Sequence, residues 1–296
     1  VRNESTQNRM RMESPQFERI APTDGESFVW RIDDYPWRKS VWNCHPEVEI
    51  HLIRHGTGTA LIGDYVGEFA SGELMIVGSW LPHDWISHCK HGELIKGRDL
   101  VVQFDAKAIE SAASVFPEFS SITELLGRAL NGVRFGPVAA RVLGDEMERV
   151  GGLSGAMRLT AFLSLLADMA ACTDYTVLSS TRTPMMKKKD LETMQAIISF
   201  IQGNLSRDVS LSEIAEVADM TQTSSSRFFK KHAGLNYVEF MTRLRIGKAC
   251  ALLRTSNDTV STISFECGYT NISNFNRRFL LLQGCTPSEY RKRHHQ

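Results

Sequence analysis

Net charge is the first thing this chain lacks. Its 296 residues carry 34 Lys and Arg against 34 Asp and Glu. Taken whole, it shows none of the basic excess expected of a protein that grips a polyanion. A long apolar run is missing too. No stretch approaches the roughly 18 residues that a membrane-crossing helix needs. The leading residues 1–26 are polar and contain no apolar core of a secretory signal. The six cysteines (Cys44, Cys89, Cys172, Cys250, Cys267 and Cys285) never fall into a C-x-x-C spacing. That argues against a disulfide framework or a cysteine-built zinc site, and for reduced thiols in a cytoplasmic protein. Low complexity is absent as well. With 42% hydrophobic and 23% charged residues, wholesale disorder is excluded.

The neutral total conceals a division. Residues 187–296 hold 16 Lys and Arg against 10 Asp and Glu. The first 186 residues are correspondingly acidic. All five tryptophans (Trp30, Trp37, Trp42, Trp80 and Trp85) and six of the nine histidines lie within the first 91 residues. A basic back and an acidic, Trp- and His-rich front point to two parts with different tasks, the basic part suited to nucleic acid.

Hydrophobic patterning predicts a multidomain α+β chain. Over 17–105, Glu47–Ile53 alternates with period two. Leu74–Val77 and Leu100–Phe104 read as further strands, and glycine turns recur at short intervals. Such spacing suggests a sandwich or barrel. Over 106–172, Ile122–Leu130, Val138–Val150 and Gly155–Ala171 have helical periodicity. The last is so apolar that its own domain or a second subunit must cover it. Residues 173–189 read as a flexible linker. Residues 190–296 are helical throughout, with a capping box at Ser210-x-x-Glu213, caps at Thr221, Thr259 and Asn271, and stops at Gly234, Gly268 and Gly284.

This basic region repeats itself. Ile214-Ala215 and Ile263-Ser264 each begin a short helix. A tight turn follows, then a polar helix ending in an aromatic, Arg227-Phe228-Phe229-Lys230 in one unit and Arg277-Arg278-Phe279 in the other. Two helix-turn-helix units at an offset of 49 or 50 residues are expected. On the first polar helix Thr223, Ser226 and Arg227 share a face with Lys230. On the second Ser273, Asn276 and Arg277 share one, while Ile272, Phe275 and Phe279 share the other. Arg suits guanine and Asn suits adenine in the major groove, so the outward six are candidate base readers. Lys230, Lys231, Arg278 and Arg291 are candidate phosphate contacts.

The run Leu211-Ser-Glu-Ile-Ala-Glu-Val-Ala, Arg227-Phe-Phe-Lys-Lys, Gly234, Arg245-Ile, Gly268-Tyr269, Asn274-Phe275, Gly284 and Thr286-Pro-Ser-Glu-Tyr-Arg291 closely resembles the AraC/XylS family of bacterial transcription regulators. The resemblance implies two helix-turn-helix units joined by a long helix, reading two major-groove segments of promoter or operator DNA. It also implies control of transcription initiation, with RNA polymerase a partner if the protein activates. Two departures stand out. Ser225 occupies a position usually filled by a core Leu, and Leu280-Leu281-Leu282 replaces basic residues.

The front segment resembles the cupin-like effector domain of the same family, through His45-Pro-Glu-x-Glu49, Gly56-x-Gly58, Gly63-Asp64, Phe69-x-x-Gly72-Glu-Leu74 and Leu81-Pro-His83. A cupin-like β-barrel is then the expected fold. Period two puts Asn43, His45, Glu47, Glu49 and His51 on one face. Against the metal-cupin pattern, Asn43 stands at the first His position, while His45, Glu49 and His83 match the other ligands. Three readings of this face stay open. One is an effector pocket for a small polar molecule, such as a sugar or related metabolite, formed by Trp42, Asn43, His45, Glu47, Glu49, His83 and Trp85. The second is a metal site at His45, Glu49 and His83. The third is a polar cluster satisfied internally. No cofactor is expected. The leading expectation is a ligand-responsive DNA-binding regulator without enzymatic activity, working as a homodimer through the middle helices. The alternatives are a metal-dependent cupin enzyme fused to a DNA-binding head and a regulator that needs no ligand.

Overall fold

The computed structural model describes residue 22 and residues 25–36, 42–89, 93–180 and 186–294. The leading segment up to residue 21, Trp37, His91 and most of the basic stretch before Lys187 lie outside the described residues.

Among the described residues, nine strands form two sheets. The larger has the order β1 (Phe28–Tyr35), β7 (Ile95–Phe104), β2 (Val48–Ile53), β5 (Leu74–Val77), β8 (Val133–Phe135) and β9 (Tyr175–Val177). The smaller has the order β4 (Tyr65–Ala70), β3 (Thr57–Ile62) and β6 (His83–Ser87). Every pairing is antiparallel. The expected barrel does not close. Beyond β5 the large sheet continues into β8 and β9 instead of returning to the small one, so the two remain open and stack as a sandwich. Strand β9 also falls inside the stretch expected to be a linker.

Alternation along the strands sorts side chains into layers. Ile50, Leu74, Ile76, Leu100, Val102 and Phe104 pack outward beneath α2 (Ser120–Ala129), α3 (Pro137–Gly151) and α4 (Gly155–Ala171). On the inner face, Ile53, Met75 and Val77 meet Ala60, Ile62, Phe69 and Trp85 of the small sheet. The small sheet is covered on its far side as well. Leu61 and Val66, with Trp42 and Cys44, join a core built from C-terminal helices, including Ile197, Ile201, Phe229 and Leu244. This explains why β3 is buried on both faces.

The middle helices are anchored within their own chain. Leu165, Leu166 and Met169 of α4 are fully buried, each contributing roughly 1.5–3 kcal/mol by leaving water. Val138, Val142, Met157 and Leu159 stay exposed on the outer face of α3 and α4.

After α5 (Lys188–Gly203) come α6 (Leu211–Val217), α7 (Gln222–Ala233), α8 (Tyr237–Thr255), α9 (Val260–Glu266), α10 (Ile272–Gln283) and α11 (Pro287–His294). The predicted caps form. Ser210 and Glu213 make the reciprocal box, and Gly234 and Gly284 adopt the left-handed conformation at helix ends. Helix α8 runs along the small sheet. A Cβ on Gly247 would stand 2.6 Å from Thr59 Oγ1, so only glycine permits this approach. Nearby, Arg254 Nη1 donates to Glu68 Oε2 at 2.7 Å, and Tyr290 donates to the same oxygen. Asp84 of β6 accepts from Gln202 of α5. Among the described residues no helix is long and apolar enough to cross a membrane.

Candidate nucleic-acid interface and ligand pocket

The two helix-turn-helix units are built alike. In the first, α6 is followed by its C-cap Ala218, Asp219 turns the chain with a φ of 53°, and Thr221 caps α7 by accepting from Ser224 N–H. In the second, α9 is followed by its C-cap Cys267, Gly268 turns with a φ of 79°, and Asn271 Oδ1 accepts from the N–H groups of Ser273 and Asn274. Aromatic side chains fix each second helix from behind. Phe229 meets Phe240 edge-on, with ring centroids 5.2 Å apart. Phe275 and Phe279 sit among Tyr269 and Tyr290.

The outcome is one exposure pattern in two places. Over 221–230 and again over 271–280, four exposed residues precede a buried one, two exposed, one half-buried, one buried and one exposed. Thr223, Ser226 and Arg227 are thereby presented on α7, and Ser273, Asn276 and Arg277 on α10, all exposed. Arg277 Nη2 donates to Asn274 Oδ1 at 3.1 Å.

Some expected placements differ. Ile272 is 37% exposed rather than facing the core, because it occupies the first turn of α10, before the helix meets its domain. Lys230 and Lys231 are exposed and Arg278 is half-buried. Arg291 is turned back, donating to the Asp258 carbonyl, so only part of its guanidinium remains for phosphate. Ser225 takes the place of Phe275 in the pattern. It is fully buried, and its hydroxyl has no hydrogen-bond partner among the described residues.

In the sandwich, the sequence-predicted cluster partly assembles. One ligand atom each from His45, Glu49 and His83 lie within 4.8 Å of one another, and all three residues are buried. His45 Nδ1 is 3.1 Å from the Glu47 carbonyl, and His83 Nδ1 is 2.7 Å from that of Leu81. Both Nε2 atoms then face Glu49, at 3.4 and 3.9 Å. Two imidazoles oriented by carbonyls around a carboxylate could hold a divalent transition metal.

The cluster extends to His51, which period two places on this face, and to Gln103, Asp99 and Arg98, which the sequence does not bring to it. Gln103 donates to Glu49 at 2.6 Å from directly across the β2–β7 ladder. His51 stands between Glu49, at 2.9 Å, and Asp99, at 3.0 Å. Arg98 bonds Asp99, Ser87 Oγ and the Trp85 carbonyl. Alternation of Asp99, Val101 and Gln103 was visible in the sequence, but their register against β2 was not. Burial opposes the charge of Glu49, yet hydrogen bonds from His45 and His51 outweigh it and hold the carboxyl well below its ordinary range. Burial pushes His83 down to about 4.

Trp85 stacks on His51 with ring centroids 3.8 Å apart. Asn43 pairs through its backbone with His83, and Glu47 stays at the rim with its carboxylate 3.5 Å from His45. Trp42 does not belong to this group. It is 2% exposed and packs with the C-terminal helices, because it precedes the strand and lies on the far side of the small sheet.

A family model described as a helix-turn-helix domain matches residues 214–293. The HTH-type transcriptional activator AarP of Providencia stuartii is 34% identical over 95 residues, which span 32% of this chain and 70% of that protein. The chain belongs to the AraC family of helix-turn-helix transcriptional regulators. Other family relatives match over less of their length. The activator RhaR of Mannheimia succiniciproducens is 27% identical over 115 residues, 38% of this chain. The raffinose operon regulatory protein RafR of Pediococcus pentosaceus is 29% identical over 107 residues, 36% of this chain. The chain spans about two fifths of the length of each, 42% and 39%. Among solved structures, an AraC-type regulator from Chromobacterium violaceum is similar over 35% of this chain and 93% of its own, with 22% identity and a TM-score of 0.34. The ToxT K231A variant from Vibrio cholerae is similar over 90% of this chain and 97% of its own, with 13% identity and a TM-score of 0.36. The curated relatives are transcriptional regulators, not enzymes.

Proposed function

We propose that this AraC-family regulator reads two successive major-groove segments of promoter DNA in the cytoplasm, one with α7 and one with α10. The observation that carries this is the repeated exposure pattern with its two exposed arginines at equivalent positions, Arg227 and Arg277. The sandwich serves as the sensing part. Its buried imidazole and carboxylate cluster supplies the hydrogen-bonding groups that a small polar effector needs, with Trp85 as a flat wall. A sugar or related metabolite is the class favoured, and the raffinose-operon relative supports it. A homodimer would form through the outer face of α3 and α4, where Val138, Val142, Met157 and Leu159 are exposed.

The test starts with DNA selected in vitro from a random pool by the full chain. Arg227→Ala and Arg277→Ala should each weaken binding to the selected sequence by about 1–3 kcal/mol, measured by fluorescence anisotropy at fixed salt. Unchanged affinity in both variants would refute the assignment.

A further inference from the structure

The exposed face of α10 is not polar throughout. Ile272, in its first turn, is 37% exposed, and Leu280, in its third, is 49% exposed. Ile272 lies four residues before Asn276. Leu280 lies three residues beyond Arg277, four beyond Asn276 and seven beyond Ser273. Such spacings stack side chains along one side of a helix. The two apolar residues therefore bracket the candidate base readers Ser273, Asn276 and Arg277. The core behind the helix is built instead from Phe275 and Phe279, with Leu282 packed against it. Leu281 faces Val238 and Thr242 of α8 across a groove. Of the three leucines that stand in for basic residues, Leu280 is thus the one aligned with the readers.

The first unit is an internal comparison. The shared exposure pattern puts Gln222 where Ile272 stands and Lys230 where Leu280 stands, both exposed. On α7 the readers are framed by an amide and a cation, and on α10 by two apolar side chains. A single exposed apolar side chain is ordinary. Two of them, at opposite ends of one row of readers, match an apolar counterpart on the partner. Base edges in the major groove offer one, the C5-methyl group of thymine. Ile272 is well prepared for it. Asn271 Oδ1 holds the first turn by accepting from the N–H groups of Ser273 and Asn274, at 2.8 and 3.2 Å. The β-branched side chain has few rotamers to lose.

We propose that Ile272 and Leu280 are specificity-determining residues that read thymines through their methyl groups, on either side of the base read by Arg277. This rests on α10 lying in a major groove, as proposed above. The two units then divide the work. Helix α7 adds cationic grip on phosphate through Lys230, and α10 adds apolar selection of thymine.

Exchanging thymine for deoxyuridine removes the methyl group and leaves the pairing edge intact. Each thymine of the in vitro selected DNA is exchanged in turn, and the affinity of the full chain is read by fluorescence anisotropy at fixed salt. At least two exchanges should each weaken binding by the unsubstituted protein about fourfold, the worth of one buried methyl. Ile272→Ala should bind the thymine and uracil forms of one such position equally, and Leu280→Ala those of another. Both substitutions fall at exposed helix positions that alanine suits. The uracil series on the unsubstituted protein needs no variant, and no effect of any exchange would overturn the proposal. So would a full set of methyl effects surviving in either variant. Arg277→Ala separates this inference from the two-unit reading. If it weakens binding while no uracil does, that reading stands and this inference falls. If it leaves affinity unchanged, both fall.

Discussion

Ser225 and Phe275 occupy the same place in two copies of one unit, yet one is a small polar residue and the other a large ring. Phe275 fills its core, whereas Ser225 leaves a buried hydroxyl without a partner among the described residues. An unmatched hydroxyl costs about 1–3 kcal/mol. Ser225→Ala should therefore raise the stability of the chain by about 1 kcal/mol, read as a higher denaturant midpoint at unchanged slope. A lower midpoint would mean that the hydroxyl has a partner in solution. At this scale the sequence revealed the outward residues well, because helical spacing alone decides which side chains share a face. It misled for Trp42. That side chain's neighbours come from α5 and beyond, some 150 residues later, and no local pattern carries such a contact. Arg291 fails for a related reason, since its acceptor at Asp258 lies in another element.

Among elements, the helices of the C-terminal part were legible almost to the residue. Their caps and stops are chemical signals within four positions of each end. The strands were legible singly but not as sheets. Which edge receives β8 and β9 is a long-range choice, and it is what leaves the sandwich open. The docking of α8 on β3 was equally hidden, although Gly247 in mid-helix was its one local trace. Gly247→Ala should improve helix propensity by about 1 kcal/mol, yet drive the new methyl into Thr59 Oγ1. A net loss of about 1–2 kcal/mol is expected from the overpacked contact. Combining it with Thr59→Ala should recover part of that loss in a denaturation double-mutant cycle. Strictly additive losses would show that the two positions do not meet.

For the whole molecule, the balanced charge is the sum of two unlike halves, and the structure joins them through a shared core rather than a loose tether. Docking leaves the outward residues of α7 and α10 exposed, so the arrangement is compatible with DNA reading. Helix α8, which separates the two units in the chain, is the element that the small sheet contacts, at Gly247 against Thr59. The most direct test of two-unit reading is methylation interference on the in vitro selected DNA. Guanines should interfere in two segments about one helical turn, 10–10.5 base pairs, apart on one face of the duplex. Arg227→Ala should erase interference in one segment and Arg277→Ala in the other. A single segment, or both variants erasing the same guanines, would contradict the account.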